Sequence, residues 1–175
     1  MDKGINNVFT DQDSDEVLAS RILEAQRTAP TAEEFYSKLK IREGLTGQFM
    51  KGEISGGEFS AKFEAANPKN GVIRCDNEQE LGLCLLRMGF PRDEAIATVR
   101  HEKAHLDQAV SMGLVAHYEV QLGKTEREGS FAILPRTVGS FQEGTSDDQK
   151  KEIAKQVAIA PGADDLSDQD KLHLG

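Results

Sequence analysis

PRDEAIATVRHEKAHLDQAVSM, residues 91 to 112, reads as one long helix. Pro91 suits a first helical position and Gly113 closes the segment. At about 100° per residue, Ile96, Val99, Leu106 and Val110 cluster on one side. His101 and His105 fall on the opposite side, beside Ala97, Ala104, Gln108 and Met112. An ordinary surface helix carries long charged side chains on that face. Here the neighbours are mostly small or neutral, as expected for a helix set between a core and a cleft.

On that face RHEKAHLD, residues 100 to 107, places two of the chain's 4 histidines one helical turn apart with a glutamate between them. Residues four apart stand one above the other, so both imidazoles can aim at a single ion about 2 Å from each. Glu102, directly after the first histidine, is placed to hold a metal-bound water. Zinc lowers the pKa of such a water toward neutrality, a carboxylate takes its proton, and the resulting hydroxide attacks a polarised carbonyl. The expectation is therefore Zn2+ held by His101 and His105, with Glu102 as catalytic base. Lys103 lies on the core-facing side, where its stem can pack while its amine reaches Asp107.

Catalytic zinc takes three protein ligands and keeps one position open. The H-x-x-G-x-x-H extension is absent, since Gln108 stands where its glycine belongs and Ser111 where its third histidine belongs. Glu152 on a following helix is one candidate. His117 and Glu119 share a strand face and form another, although that strand must turn back sharply to reach the metal. GKT at 123 to 125 is not a phosphate loop, because Tyr118 occupies the position of the first Walker glycine.

Outward from the long helix, the expected architecture is α+β. Residues 1 to 14 are polar and acid-rich and read as a disordered tail. From Ser14, Val17, Leu18, Ile22 and Leu23 recur at helical spacing. Thr31 and Glu34 mark the start of a second helix that carries Phe35, Leu39 and Ile41. GLTGQFMKGEISGGEF reads as glycine-broken, with a short helix from Ser60 to Ala66. Thus 15 to 70 is a helical N-terminal region, and 71 to 175 is a second unit holding the site. GVIRC is a short strand whose edge at Gly71 to Cys75 offers a place for substrate to add by strand pairing. Asn77 caps a helix ending at Gly89. LVAHYEVQL alternates with Ala116, Tyr118, Val120 and Leu122 on one side, and GKTEREG leads into a partner strand, SFAILPRTV. Ser146 and Gln149 form a capping box for a helix that stops at Pro161, and Ser167 caps a last turn.

Acids outnumber bases 30 to 21, for a formal charge of −9 over 175 residues, which disfavours nucleic acid and anionic membranes as partners. No apolar run reaches membrane-spanning length and the first residues lack a secretory signal, so the expected location is cytoplasmic. Cys75 and Cys84, the 2 cysteines, read as buried thiols.

From residue 100 onward the order of pieces resembles the peptidase domain of the ATP-dependent AAA+ zinc proteases of the FtsH family. HEKAH stands for that family's HEAGH, followed by VAHYEVQL and AILPRTVG, then KKEIAKQVAIAPGA, then LSDQD. The resemblance implies a zincin-like fold, His101 and His105 as zinc ligands, Glu102 as base and Asp170 as third ligand, with Asp168 the fallback. LysAla replaces the family's AlaGly inside the motif, and LSDQD matches its GASNDL segment loosely. The ATPase module and membrane anchor have no counterpart in these residues. That implies a stand-alone peptidase for peptides or already unfolded protein segments. The alternative expectation is a non-catalytic interaction module whose HExxH is accidental or a structural metal site.

Overall fold

A computed structural model describes residues 13–163 and 167–173. The tail expected over 1 to 14 lies outside them through residue 12. Helix α1, Asp13–Thr28, is followed by α2, Ala32–Met50, and α3, Gly56–Ala66. Strand β1, Val72–Cys75, then leads to α4, Glu78–Arg87, and the long α5, Arg92–Ser111. The hairpin of β2, Val115–Lys124, and β3, Phe131–Ser140, comes next, and α6, Asp147–Ala158, and α7, Asp168–Leu172, complete the order. The result is a mixed α+β fold around one small antiparallel sheet, ordered β1-β2-β3. No helix among the described residues is long and apolar enough to cross a membrane.

Local chemistry accounts for most of the boundaries. Side chains of Thr31, Ser55, Asn77, Ser146 and Ser167 each accept a hydrogen bond from a first-turn backbone N–H. These bonds satisfy donors that have no partner inside the helix. Pro91 takes the cap position, one residue before α5 begins.

The sheet has two unlike faces. Tyr118, Val120 and Leu122 of β2, with Ile73 and Cys75 paired beside them, face a core closed by Leu18, Ile22 and Ala25 of α1, Leu81, Cys84 and Leu85 of α4, and Ala95 and Val99 of α5. Helix α2 lies on the other face. Its Phe35 approaches Gly123 so closely that a Cβ there would sit 2.6 Å from the Phe35 Cβ, so the close approach requires glycine. Pro135 is tolerated in β3 because that strand is an edge.

Several expectations fail in informative ways. Helix α2 does not break at its glycines: Gly44 and Gly47 lie inside it, and burial of Leu45, Thr46 and Phe49 outweighs a propensity loss of about 1 kcal/mol per glycine. Helix α3 begins at Gly56 under the Ser55 cap, four residues before the expected Ser60. Val17, Leu23 and Ile41 are exposed, because only one edge of each helix meets the core. On α5, Val110 is exposed while Leu106 packs against the core, and Ala109 is buried on the His105 edge that lines the cleft. Lys103 does donate to Asp107 Oδ2, at 2.6 Å, and Cys75 and Cys84 are buried and unlinked.

Candidate metal centre

Helix α5 presents His101 and His105 one turn apart. Their Nε2 atoms lie 3.1 Å from each other, with the rings nearly perpendicular at 81°. Asp170, on the first turn of α7, meets both: Oδ2 is 3.4 Å from His101 Nε2, and Oδ1 is 3.4 Å from His105 Nε2. Among the described residues these three form the one group of His, Cys, Asp and Glu arranged to hold a metal ion.

Two of the three members are fixed by partners behind them. His105 Nδ1 donates to the Val157 carbonyl of α6 at 2.7 Å. In the neutral ring this leaves the lone pair on Nε2, on the side shared with His101 and Asp170, as a metal site requires. The Asp170 carboxylate accepts from the Ser167 backbone N–H at 2.9 Å, and the Asp170 N–H returns a bond to Ser167 Oγ at 3.1 Å. The same capping box that starts α7 therefore orients the carboxylate.

The charges reinforce one another. Burial draws the His105 imidazole toward its neutral form, but the hydrogen bond and charge of Asp170, together with the Val157 carbonyl, outweigh it and raise its pKa. Burial acts to raise the Asp170 carboxyl too, yet hydrogen bonds from His105 and Ser167 hold it down at about 2. The raised His105 pKa and the lowered Asp170 pKa each favour an ion pair between the two.

Glu102 stands beside this group and is not one of its three members. Thr137 of β3 anchors it, the hydroxyl lying 2.8 Å from Oε2 and 2.9 Å from the Glu102 carbonyl oxygen. Burial raises the Glu102 pKa above the ordinary carboxylate value, against the opposing pull of Thr137, His105 and His101. A carboxylate so placed takes and returns protons closer to neutral pH than an exposed one does.

The other candidates are engaged elsewhere. His117 Nε2 pairs with Glu119 Oε1 at 3.0 Å, and Glu152 accepts from Gln156 Nε2 at 3.0 Å. The Asp168 side chain lies outside the described residues. Thr137 and Val157 were missed in the sequence. Thr137 could have been suspected only from the β2–β3 register, which pairs it with the buried Tyr118 and so turns it toward α5. Val157 contributes a backbone oxygen, which leaves no mark on residue identity.

The group opens into a cleft of ≈ 1160 Å³ whose lining includes His101, Glu102, His105 and Asp170 and the unbroken run from Leu134 to Gly144. None of Gly71 to Cys75 lines it, so the strand edge beside the site is that of β3 and not of β1. Fold and site together define an α+β protein with a two-histidine, one-carboxylate group that could hold a metal ion. The chain matches no protein-family model, no curated protein and no solved structure.

Proposed function

We propose that the protein is a zinc-dependent peptidase with a zincin-like site, acting on peptides or on unfolded protein segments. The convergence of His101, His105 and Asp170, with Glu102 held beside them by Thr137, carries this reading. One ligand atom from each of the three residues lies within 4.8 Å of the others, close enough for a single ion to meet all of them.

Zinc bound here supplies a Lewis acid that makes a water molecule acidic and polarises the carbonyl under attack. The protein's own part is divided among four groups. His101, His105 and Asp170 would hold the ion. Glu102 accepts the proton of the attacking water at a carboxylate oxygen and returns it to the departing amine, while the Thr137 hydroxyl keeps the other oxygen in place. Substrate lies along β3, whose outer edge has no strand partner among the described residues, so its backbone groups are open to an added strand.

Metal analysis and cleavage test this together. The wild type is expected to purify with about one zinc per chain. His105→Ala is expected to lose the metal, and Glu102→Gln to retain it while losing hydrolysis of unfolded casein. Full metal occupancy in the wild type without cleavage of any unfolded protein overturns the enzyme reading in favour of a structural metal site.

A further inference from the structure

The sheet face opposite the hydrophobic core carries a buried polar cluster that the chemistry above does not use. Arg42 projects from α2 onto that face and is only 3% exposed. Its Nη2 donates to Gln121 Oε1 at 3.1 Å, but Nε and Nη1 find no partner among the described residues. Arg136 of β3 lines the cleft, and its buried Nε also finds no partner among the described residues. Arg136 pairs in register with Glu119, and paired residues share a face, so its side chain lies on the α2 side of the sheet. Its neighbour Thr137 faces the other way, toward Glu102.

Carboxylates act on this cluster by charge, Glu119 and Glu43 on Arg42 and Glu119 and Glu102 on Arg136, yet three of its donor nitrogens stay unbonded among the described residues. Glu119 is the carboxylate whose field reaches both arginines, and both of its oxygens are already engaged, by His117 at 3.0 Å and by Gln121 at 3.3 Å. Burial lowers the pKa of Arg42 to about 10, with repulsion from Arg136 adding to the effect, and burial lowers that of Arg136 as well. A guanidinium keeps its charge at neutral pH. Arg42 Nε and Nη1 and Arg136 Nε are thus buried without an acceptor among the described residues, which is unfavourable in the ground state unless an anion completes them.

We propose that Arg136, with Arg42 behind it, forms a carboxylate-binding subsite of the cleft. Resting on the peptidase reading, this assigns the substrate class as peptides presenting an acidic group next to the bond cleaved. A chain laid along β3 alternates its side chains between the α5 side, where Glu102 and the histidines stand, and the α2 side, where Arg136 waits. The planar fork of a guanidinium matches a carboxylate with two parallel hydrogen bonds. That carboxylate comes either from a Glu or Asp side chain or from a free C-terminus.

Binding to the zinc-loaded Glu102→Gln variant of the full chain separates these possibilities from turnover. Four N-acetylated hexapeptides serve as probes, with Glu or Gln at one position and a free or amidated C-terminus. The acidic forms are expected to bind about tenfold tighter or better than the fully neutral one. A Glu preference among amidated peptides assigns the side chain, and a free-acid preference among Gln peptides assigns the terminus. Adding Arg136→Gln is expected to erase the discrimination with zinc content unchanged, and Arg136→Lys to keep part of it. Equal affinity for all four peptides, no binding of any, or a preference that survives Arg136→Gln overturns the subsite. Should Arg136→Gln lose its zinc, the four-peptide comparison and Arg136→Lys still decide. Discrimination without cleavage by the wild type refutes the peptidase and leaves the subsite, whereas cleavage without discrimination does the reverse.

Discussion

Replacing Thr137 by valine removes one hydroxyl and almost no volume, which isolates what that group does for Glu102. The hydroxyl has a single proton and two acceptors at nearly equal range, Oε2 at 2.8 Å and the carbonyl oxygen at 2.9 Å. A hydrogen bond to an ionised group contributes roughly 1.5–3 kcal/mol, and sharing the proton leaves about half of that for the carboxylate. About 1 kcal/mol favouring the charged form corresponds to roughly 0.7 of a pH unit. Without the bond, burial acts on Glu102 with less opposition, and its pKa rises further above the ordinary value. The acidic limb of kcat/KM for a labelled peptide is therefore expected to move up by about 0.7 of a pH unit in Thr137→Val. With both proteins loaded with zinc, its own influence on Glu102 cancels in the comparison. Thr137→Ser, which keeps the hydroxyl, is expected to stay with the wild type. An acidic limb that is unmoved or shifted downward, with zinc content intact, refutes the role given to Thr137. A similar loss of activity in the valine and serine variants refutes it as well.

Three further outcomes follow from the same geometry. Gly71 has φ +69°, and a Cβ there would meet the Ala29 Cα and the Leu122 carbonyl oxygen at 2.9 Å. Gly71→Ala should therefore destabilise the fold by at least about 2 kcal/mol in urea, and a loss under 0.5 kcal/mol would contradict that backbone path. Leu85 is fully buried between α4 and the sheet, so Leu85→Ala is expected to cost about 2–5 kcal/mol, checked by the same titration. In metal-free protein, the raised His105 pKa gives stability that is complete below about 6.5 and fades as pH rises through the folded value. The lowered Asp170 pKa gives stability that is complete above 3.8 and fades as pH falls toward 2. Metal-free wild type should thus exceed His105→Gln most in melting temperature between pH 3.8 and 6.5, and a gap that widens above pH 8 would remove the ion pair.

What could be read from the residues was mostly what acts locally. Thr31, Asn77, Ser146 and Ser167 announce helix starts because a capping oxygen works within three residues of itself. The alternation of Tyr118, Val120 and Leu122 fixes a strand face for the same reason. Features set by packing between distant segments were illegible. Gly44 and Gly47 look like breaks until α2 has a sheet to lie on. Arg42, a charged residue in an unremarkable helical pattern, becomes a buried cation only because α2 covers the polar face of that sheet. The histidine pair was visible because α-helical spacing suffices to define it. Asp170 was suggested by a family resemblance and not by its spacing, since nothing local says that α7 returns to α5.

The edge of α5 is fixed from three directions that only the tertiary fold brings together. Val157 of α6 reaches His105 across 52 residues, Thr137 of β3 reaches Glu102 across 35, and Asp170 closes the group from α7. At five residues α7 is far too short to be helical alone, where roughly 12–15 are needed for even marginal stability. Its capping box satisfies two backbone donors, the charge of Asp170 against the histidines ties its first turn to α5, and α2 packs against it as well. An ion held by all three side chains would strengthen this junction, so metal affinity and the docking of α7 would be coupled. A substitution anywhere along α7 that loosens the helix should weaken metal binding, even where it touches no ligand.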